Sequence, residues 1–336
     1  MRRQQRDGAR RGAGGAGGGL AGALLAAVLA AGCGGQNPAR QQRGTASSPW
    51  VIGFSQCTLN EPWRVEMNRQ LEEAAGAHPD IRLLLANAED KSERQVNDVE
   101  NFLAQGIDLL IISPKEAAPL TDVVAKVFDQ GIPAIVLDRK VLGEKYTCFI
   151  GADNLAIGRA AGRHALELLG GTGTGVIVEL KGNMSSTPGE ERHRGFREAV
   201  AEALAAGRLQ VVHEADCDWK EDRARLEMEA ALAAHERIDL VYGHNDPMAH
   251  GAWVAARQAG RAEAIRFLGI DALPKEGLAY VREGLLDATL EYPTGAREAV
   301  AAARALLSGG SVPRSIGLGT RLYTPDNVAA GGVVVE

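Results

Sequence analysis

The chain has 336 residues, 45% of them hydrophobic, with 37 Lys and Arg against 43 Asp and Glu for a net charge of −6. That length allows two compact lobes with ordinary cores, and the absence of a basic face after residue 50 argues against nucleic-acid binding. Aromatic residues are only 4% of the chain, which makes each of the four tryptophans a candidate for a placed contact.

The amino terminus differs from the rest. Arg2, Arg3, Arg6, Arg10 and Arg11 precede an apolar segment from Leu20 to Ala31. That segment is too short to span a bilayer and has the length of a signal-peptide core. It ends Leu29-Ala30-Ala31-Gly32-Cys33, which resembles a bacterial lipoprotein signal with Cys33 as the lipidated residue. Ala30 stands where that signal usually carries a large apolar residue, so an ordinary secretory signal is the alternative. Residues 1–33 are therefore expected as signal and 34–49, without periodicity, as a flexible tether.

From Trp50 the chain alternates strand and helix. Trp50–Ser55 reads as a strand, followed by the polar loop from Gln56 to Arg64 and a helix over Val65–Ala77. Ile81–Leu85 is the next strand, and Ser92 is placed to cap the helix carrying Val96, Val99, Phe102 and Leu103. Gly106–Pro114 is a strand and Leu120–Gln130 a helix. Ile132–Leu137 is a short branched apolar run that fits a buried strand. The rhythm restarts after Asn154 with helices over Ile157–Leu169, Glu190–Ala205, Glu221–Ala234 and Met248–Ala259. Strands over Gly175–Leu180, Gln210–Glu214, Ile238–Tyr242 and Ile265–Ile270 alternate with them. Short connections require helical crossovers and hence doubly wound parallel sheets.

Ile132–Asp138 echoes Ile265–Asp271, each strand ending in Asp, and the pattern around Gly106–Pro114 echoes Arg237–Pro247. Two lobes of one design follow: 50–151 plus about 293–316, and 152–292 plus about 317–336. Leu285–Leu290 and Arg321–Thr324 as strands, with Ala296–Leu307 as a helix, provide a hinge of several strands. In such sheets ligands bind beyond the carboxyl ends of the strands, so Asp138, Arg139 and Asp271 are drawn to one cleft. A carboxylate accepts from hydroxyls and a guanidinium fork donates to oxygens.

These residues resemble the type I periplasmic sugar-binding proteins, the ribose/galactose-binding group that serves ABC importers and shares its core with LacI-type repressors. The resemblance covers roughly 50–330. It rests on Gly131-Ile-Pro133 with Asp138-Arg139, Gly151-Ala-Asp-Asn154, Arg192-His-Arg-Gly-Phe196, Asn245–Ala252, Gly269-Ile-Asp271 and Asp287–Pro293. Gly53–Cys57, Asp138-Arg-Lys140, Tyr146-Thr147, Ile270–Pro274 and Tyr292-Pro-Thr294 are similar to the variant used as sensor domain in hybrid histidine kinases. The resemblance implies sugar contacts at Asn60, Trp63, Arg64, Asp90, Asp138, Arg139, Arg192, Trp219, Asn245, Asp271 and Glu291. Arg64 stands where a second aromatic is common, which implies either a lost stacking surface or recognition of an anionic or additional hydroxyl group.

The expected function is capture of a monosaccharide or polyol by a lipid-tethered monomer outside the cytoplasmic membrane, for delivery to an ABC permease. A membrane sensor kinase is the alternative partner. A repressor would need a helix-turn-helix where the signal-like segment stands. A glycoside-processing enzyme could draw on Asp90, Asp138, Asp271 and Glu291. Against it, Arg139 and Arg192 are expected to keep nearby carboxylates ionised, and no nucleophile elbow, P-loop or His-Glu-x-x-His is present. No cofactor is implied, and His193, His244 and His250 show no metal-ligand spacing. Cys57 and Cys148 could pair, but buried free thiols are the preferred reading for Cys57, Cys148 and Cys217.

Overall fold

The computed structural model describes residues 43–171 and 173–335. The signal-like segment and Cys33 lie outside them, as does the expected tether up to residue 42. The chain alternates β1 (Trp50–Gln56), α1 (Pro62–Gly76), β2 (Ile81–Asn87), α2 (Ser92–Ala104), β3 (Leu109–Ser113), α3 (Ala117–Asp129), β4 (Ala134–Leu137) and β5 (Cys148–Ala152). It continues with α4 (Asn154–Leu168), β6 (Gly175–Lys181), α5 (Thr187–Ala205), β7 (Leu209–Asp216), α6 (Glu221–Ala234), β8 (Leu240–Gly243), α7 (Asp246–Gln258) and β9 (Arg266–Asp271). The last part holds α8 (Gly277–Arg282), β10 (Ala288–Glu291), α9 (Ala296–Leu307), β11 (Ser315–Leu318), β12 (Thr320–Tyr323) and β13 (Val333–Val335).

Two sheets result. The first runs β11-β5-β4-β3-β1-β2 and the second β13-β12-β10-β9-β8-β6-β7. The first sheet is parallel throughout, while β12 joins the second antiparallel to β10 and β13 antiparallel to β12. Every residue of β3, Leu-Leu-Ile-Ile-Ser, is buried, as is every residue of β4. A strand covered by helices on both faces needs such a continuous apolar run, because neither side chain direction meets water. At roughly 1.5–3 kcal/mol per buried aliphatic side chain, these strands anchor the first lobe.

The chain passes between the sheets three times: at Asp153 between β5 and α4, at Tyr292–Gly295 between β10 and α9, and at Gly319 between β11 and β12. The last passage falls at Gly319 rather than near 316, since β11 pairs with β5 through Leu318↔Ala152. Three other features depart from the sequence expectation. Residues 43–49 are not a loose tether: Thr45 bridges Ser48, and Arg43 pairs at 2.6 Å with Asp108. The side chain of Asp108 is 1% exposed, and a carboxylate that buried requires a partner. Ser92 is the first residue of α2 and does not cap it; Lys91 is the N-cap, and Ser92 Oγ donates to Glu116 at 3.1 Å. Finally, β11, β13 and α8 were not expected; the two edge strands are only partly covered and α8 is too short to show helical periodicity.

Candidate functional site

A narrow cleft lies between the two sheets at the carboxyl ends of their strands, with about 370 Å³ of empty space when the open solvent at its mouth is included. Trp63, Arg64, Asp138, Arg139, Arg192, Trp219, Asn245 and Asp271 all line it. Local sequence explains their placement. Pro62, Pro188 and Pro247 lie in the first turns of α1, α5 and α7, and all three prolines line the cavity. Proline suits a first helical turn because it has no amide hydrogen to satisfy there. Three helix amino termini, one from the first lobe and two from the second, therefore point partial positive charge at one space. Asn245 caps α7, accepting from Met248 N at 2.9 Å while its amide donates to the Trp219 carbonyl at 3.1 Å.

Asp138 is the hub. Its Oδ1 accepts from Tyr292 Oη at 2.6 Å, and its Oδ2 lies 2.8 Å from Arg64 Nη2 and 3.8 Å from Arg139 Nε. Burial alone would raise its carboxyl, but Arg64 and Arg139 outweigh that and hold it below the ordinary carboxylate range. Arg64 is further fixed by Ser113 Oγ at 2.7 Å and by Glu61 at 3.5 Å. Its charge is thus answered inside the protein. Arg192, 2% exposed, donates to Asn154 Oδ1 at 2.9 Å and to the His244 carbonyl, with its guanidinium 4.2 Å from the Tyr292 ring.

Asp271 behaves differently. Burial pushes its carboxyl well above the usual range; Arg192 opposes this, while Asp246 and Glu276 add to it. Burial also pushes Asp246 up to about 7, against bonds from Thr289 Oγ1 at 2.6 Å and Ala272 N at 2.7 Å. The expectation that arginines keep the cleft carboxylates ionised thus describes Asp138 and fails for Asp271, where desolvation wins. Arg64, Arg139 and Arg192 share this wall with Glu61, Asp138 and Asp271, and Arg64 and Asp138 answer each other's charge directly. Arg139 Nε and Trp219 Nε1 are buried donors without a hydrogen-bond partner among the described residues. A buried donor on a cavity wall is an anchoring point for a ligand oxygen.

The backbone is strained where these side chains enter. Asp138 (φ 68), Trp219 (φ 66) and Asp271 (φ 135) all have positive φ. Such conformations cost of order 1–3 kcal/mol each and persist where the surrounding structure enforces them. Gly182 shows how closely the site is packed: a Cβ there would lie 2.2 Å from the Trp219 ring.

Three expected contacts do not line the cavity. Asn60 is exposed on an adjoining groove shared with Glu61, Pro62 and Trp219. Asp90 is drawn aside by Lys115 at 2.6 Å and Lys220 at 3.2 Å. Glu291 ends β10 half-buried, its carboxyl raised by burial with Arg321 opposing. Tyr292, the next residue, takes the central place instead. Its hydroxyl donates to Asp138 and accepts from Asn154 at 3.2 Å, its carbonyl accepts from Trp63 Nε1 at 2.7 Å, and its ring lies 5.1 Å from that of Trp63. The signal for it was a Tyr-Pro directly after a strand where the chain changes lobes.

Away from the cavity, Glu179, His193 and Glu214 bring ligating atoms within 4.8 Å of one another. Arg197 bonds Glu214 and lies 3.4 Å from Glu179, and Lys181 lies 3.1 Å from Glu214, so the cluster carries its own counter-charges. Cys57, Cys148 and Cys217 are free and buried. Among the described residues no helix is long and apolar enough to cross a membrane.

Two lobes with strand ends facing a shared polar cleft define a type I periplasmic binding protein. The chain belongs to the family described as the periplasmic binding protein domain, which it matches over residues 52–311. It is 29% identical to the ribose import binding protein of Bacillus subtilis over 277 residues, covering 82% of this chain and 87% of that one. It is 30% identical to the galactofuranose-binding protein of Escherichia coli over 291 residues, covering 83% and 89%. Among solved structures it is similar to the fructose-binding periplasmic domain of a hybrid two-component system. The TM-score is 0.79 at 39% identity, covering 84% of this chain and 92% of that one. These relatives are sugar-binding proteins.

Proposed function

We propose that this chain captures a neutral, hydroxyl-rich ring, a monosaccharide or cyclic polyol, by closing its lobes on it, and delivers it to an ABC permease. This reading is carried by the pairing inside the cavity, where Arg64 is neutralised by Asp138 and Glu61 rather than left for an anion. Asp138 and Asp271 supply acceptors, Arg139 and Trp219 supply open donors, and Asn245 supplies both, which matches hydroxyls that donate and accept. Trp63, Arg64, Arg192 and Tyr292 complete the set of contacts. Fructose is the first candidate, because the relative named for it shares 39% identity.

That same relative is a sensor domain, which favours a second reading: the closed form signals to a membrane histidine kinase. The lobes on this reading are 50–151 with 293–318 and 152–292 with 319–336. The protein acts as a monomer in the periplasm, held to the membrane through a lipid on Cys33. A catalytic alternative draws on the contrast between Asp138, held below the ordinary carboxylate range by Arg64 and Arg139, and Asp271, raised above it by burial, and release of nitrophenol from chromogenic glycosides is its readout. A thermal-shift screen against pentoses, hexoses, inositols and sugar acids tests the binding reading. Ligand at about 100 times its dissociation constant adds roughly 2.7 kcal/mol, which raises the melting point by several degrees. A shift with a neutral sugar supports capture; shifts confined to sugar acids, or glycoside turnover, overturn it.

A further inference from the structure

Beside the cavity, four charged side chains join the lobes. Lys115 follows β3 and Asp90 follows β2 in the first lobe; Asp218 and Lys220 follow β7 in the second. Lys115 Nζ lies 2.6 Å from Asp90 Oδ1 and 3.2 Å from Asp218 Oδ1. Lys220 Nζ lies 3.2 Å from Asp90 Oδ2 and 2.9 Å from Asp218 Oδ2. Each charge touches two of opposite sign, so the ring closes across the lobe boundary. The Lys115 side chain is 9% exposed, that of Asp218 15%, Asp90 20% and Lys220 32%, and Asn183 donates to Asp218 at 2.9 Å. Isolated exposed ion pairs contribute little, but charges joined in a network contribute more, and part-exposed ones stay sensitive to salt.

The ring is tied to the cavity at both ends. Arg139 Nη1 donates to the Lys115 carbonyl at 2.9 Å, so the backbone that carries the ammonium also holds a cavity guanidinium. Asp218 directly precedes Trp219, whose ring lies 5.6 Å from the Arg139 guanidinium. Asp90 and Asp218 both have positive φ, 67 and 50, a conformation that the surroundings must enforce.

We propose that Lys115 and Asp218, with Asp90 and Lys220, are positioning residues: an electrostatic latch that holds the lobes closed, aligns Arg139 with Trp219 and sets how long a ligand is retained. Opening must separate the two pairs that cross the lobes, Lys115–Asp218 and Lys220–Asp90, whereas the encounter of ligand with the open form does not involve them. The latch therefore acts on dissociation more than on association. The retention readout rests on the binding reading above; the closure readout does not.

The test has two arms. In the ligand-free chain, small-angle scattering compares wild type with Lys115→Met and with Asp218→Asn at about 0.01 M and about 1 M salt, where the Debye length falls from about 30 Å to about 3 Å. Wild type is expected to be more compact at low salt and to expand at high salt, while both variants stay expanded. Equal dimensions for wild type and variants at low salt overturn the latch. In the second arm, stopped-flow kinetics with the sugar found by thermal shift is expected to show about tenfold faster dissociation in either variant, equivalent to about 1.4 kcal/mol. The double variant is expected to be no faster than the singles. Additive effects, or unchanged dissociation, overturn the proposal. Lys126→Ala removes an exposed pair within the first lobe, 2.7 Å from Glu100, and leaves both readouts unchanged. Failure of the sugar reading shows separately, as no binding by wild type, and leaves scattering to decide the latch.

Discussion

Replacing Asp138 with Asn separates the charge of the cavity hub from its shape. Asn fits the same space and tolerates the positive φ of 68 at this position, so backbone strain is held constant. What is lost is the anion between Arg64 and Arg139, at 2.8 and 3.8 Å. Breaking a buried ion pair by removing one partner costs about 3–5 kcal/mol. Glu61 still lies 3.5 Å from Arg64, which places the expected cost near the lower end, about 3 kcal/mol. At roughly 2–4 °C per kcal/mol for a chain of this size, the melting point falls by roughly 10 °C, measured by circular dichroism. Affinity for the sugar falls further, by more than about a hundredfold, because a charge-assisted contact is lost. Asp138→Ala is worse by about 1 kcal/mol, since Ala is strained at positive φ. The pH dependence has a defined sign. Because the folded carboxyl lies below its unfolded value, its stabilisation is present above about pH 4 and is lost as pH falls through the folded value. An Asp138→Asn protein that melts and binds like wild type would refute the view of Asp138 as the hub.

Gly182→Ala drives a methyl into the Trp219 ring and displaces it; overpacking of about 1–3 kcal/mol and a loss of sugar affinity are expected by denaturation and calorimetry. Asp246 has its folded carboxyl raised to about 7, so the stability of the protonated form is full below the unfolded value and is lost as pH rises through about 7. Melting points are therefore expected to fall between about pH 4 and pH 7, and Asp246→Asn is expected to flatten that slope. Because Cys57, Cys148 and Cys217 are buried free thiols, reductant is expected to leave the melting point unchanged, and a thiol reagent to react with these three only on unfolding.

Much of this was legible because buried parallel strands announce themselves. Leu109–Ser113 and Ala134–Leu137 are continuous apolar runs, and the charged pair after the second lies at the strand end that opens on the cleft. Long periodic helices such as Glu221–Ala234 were legible at both ends. The short edge strands Ser315–Leu318 and Val333–Val335 were not, since their pairing depends on distant neighbours and their side chains alternate only weakly. Within the site, Asp138, Arg139 and Asp271 could be read from strand ends. Tyr292 could not, because its importance comes from contacts with Asp138, Asn154 and Trp63, all far away in sequence. Asp90 misled for the complementary reason: a carboxylate at a strand end looks like a ligand contact until Lys115 and Lys220 are seen to hold it. Nor could residue order reveal that burial overrides Arg192 at Asp271.

On this account a neutral sugar fills the cavity in which Asp138 and Arg64 are already paired. Isothermal titration of the purified chain with D-fructose, ribose, galactose and myo-inositol, set against glucuronate and gluconate, tests it most directly. Saturable binding of one neutral compound per chain, abolished by Asp138→Asn, is the predicted result. Binding confined to the sugar acids would contradict it and show that unanswered guanidinium charge defines the ligand.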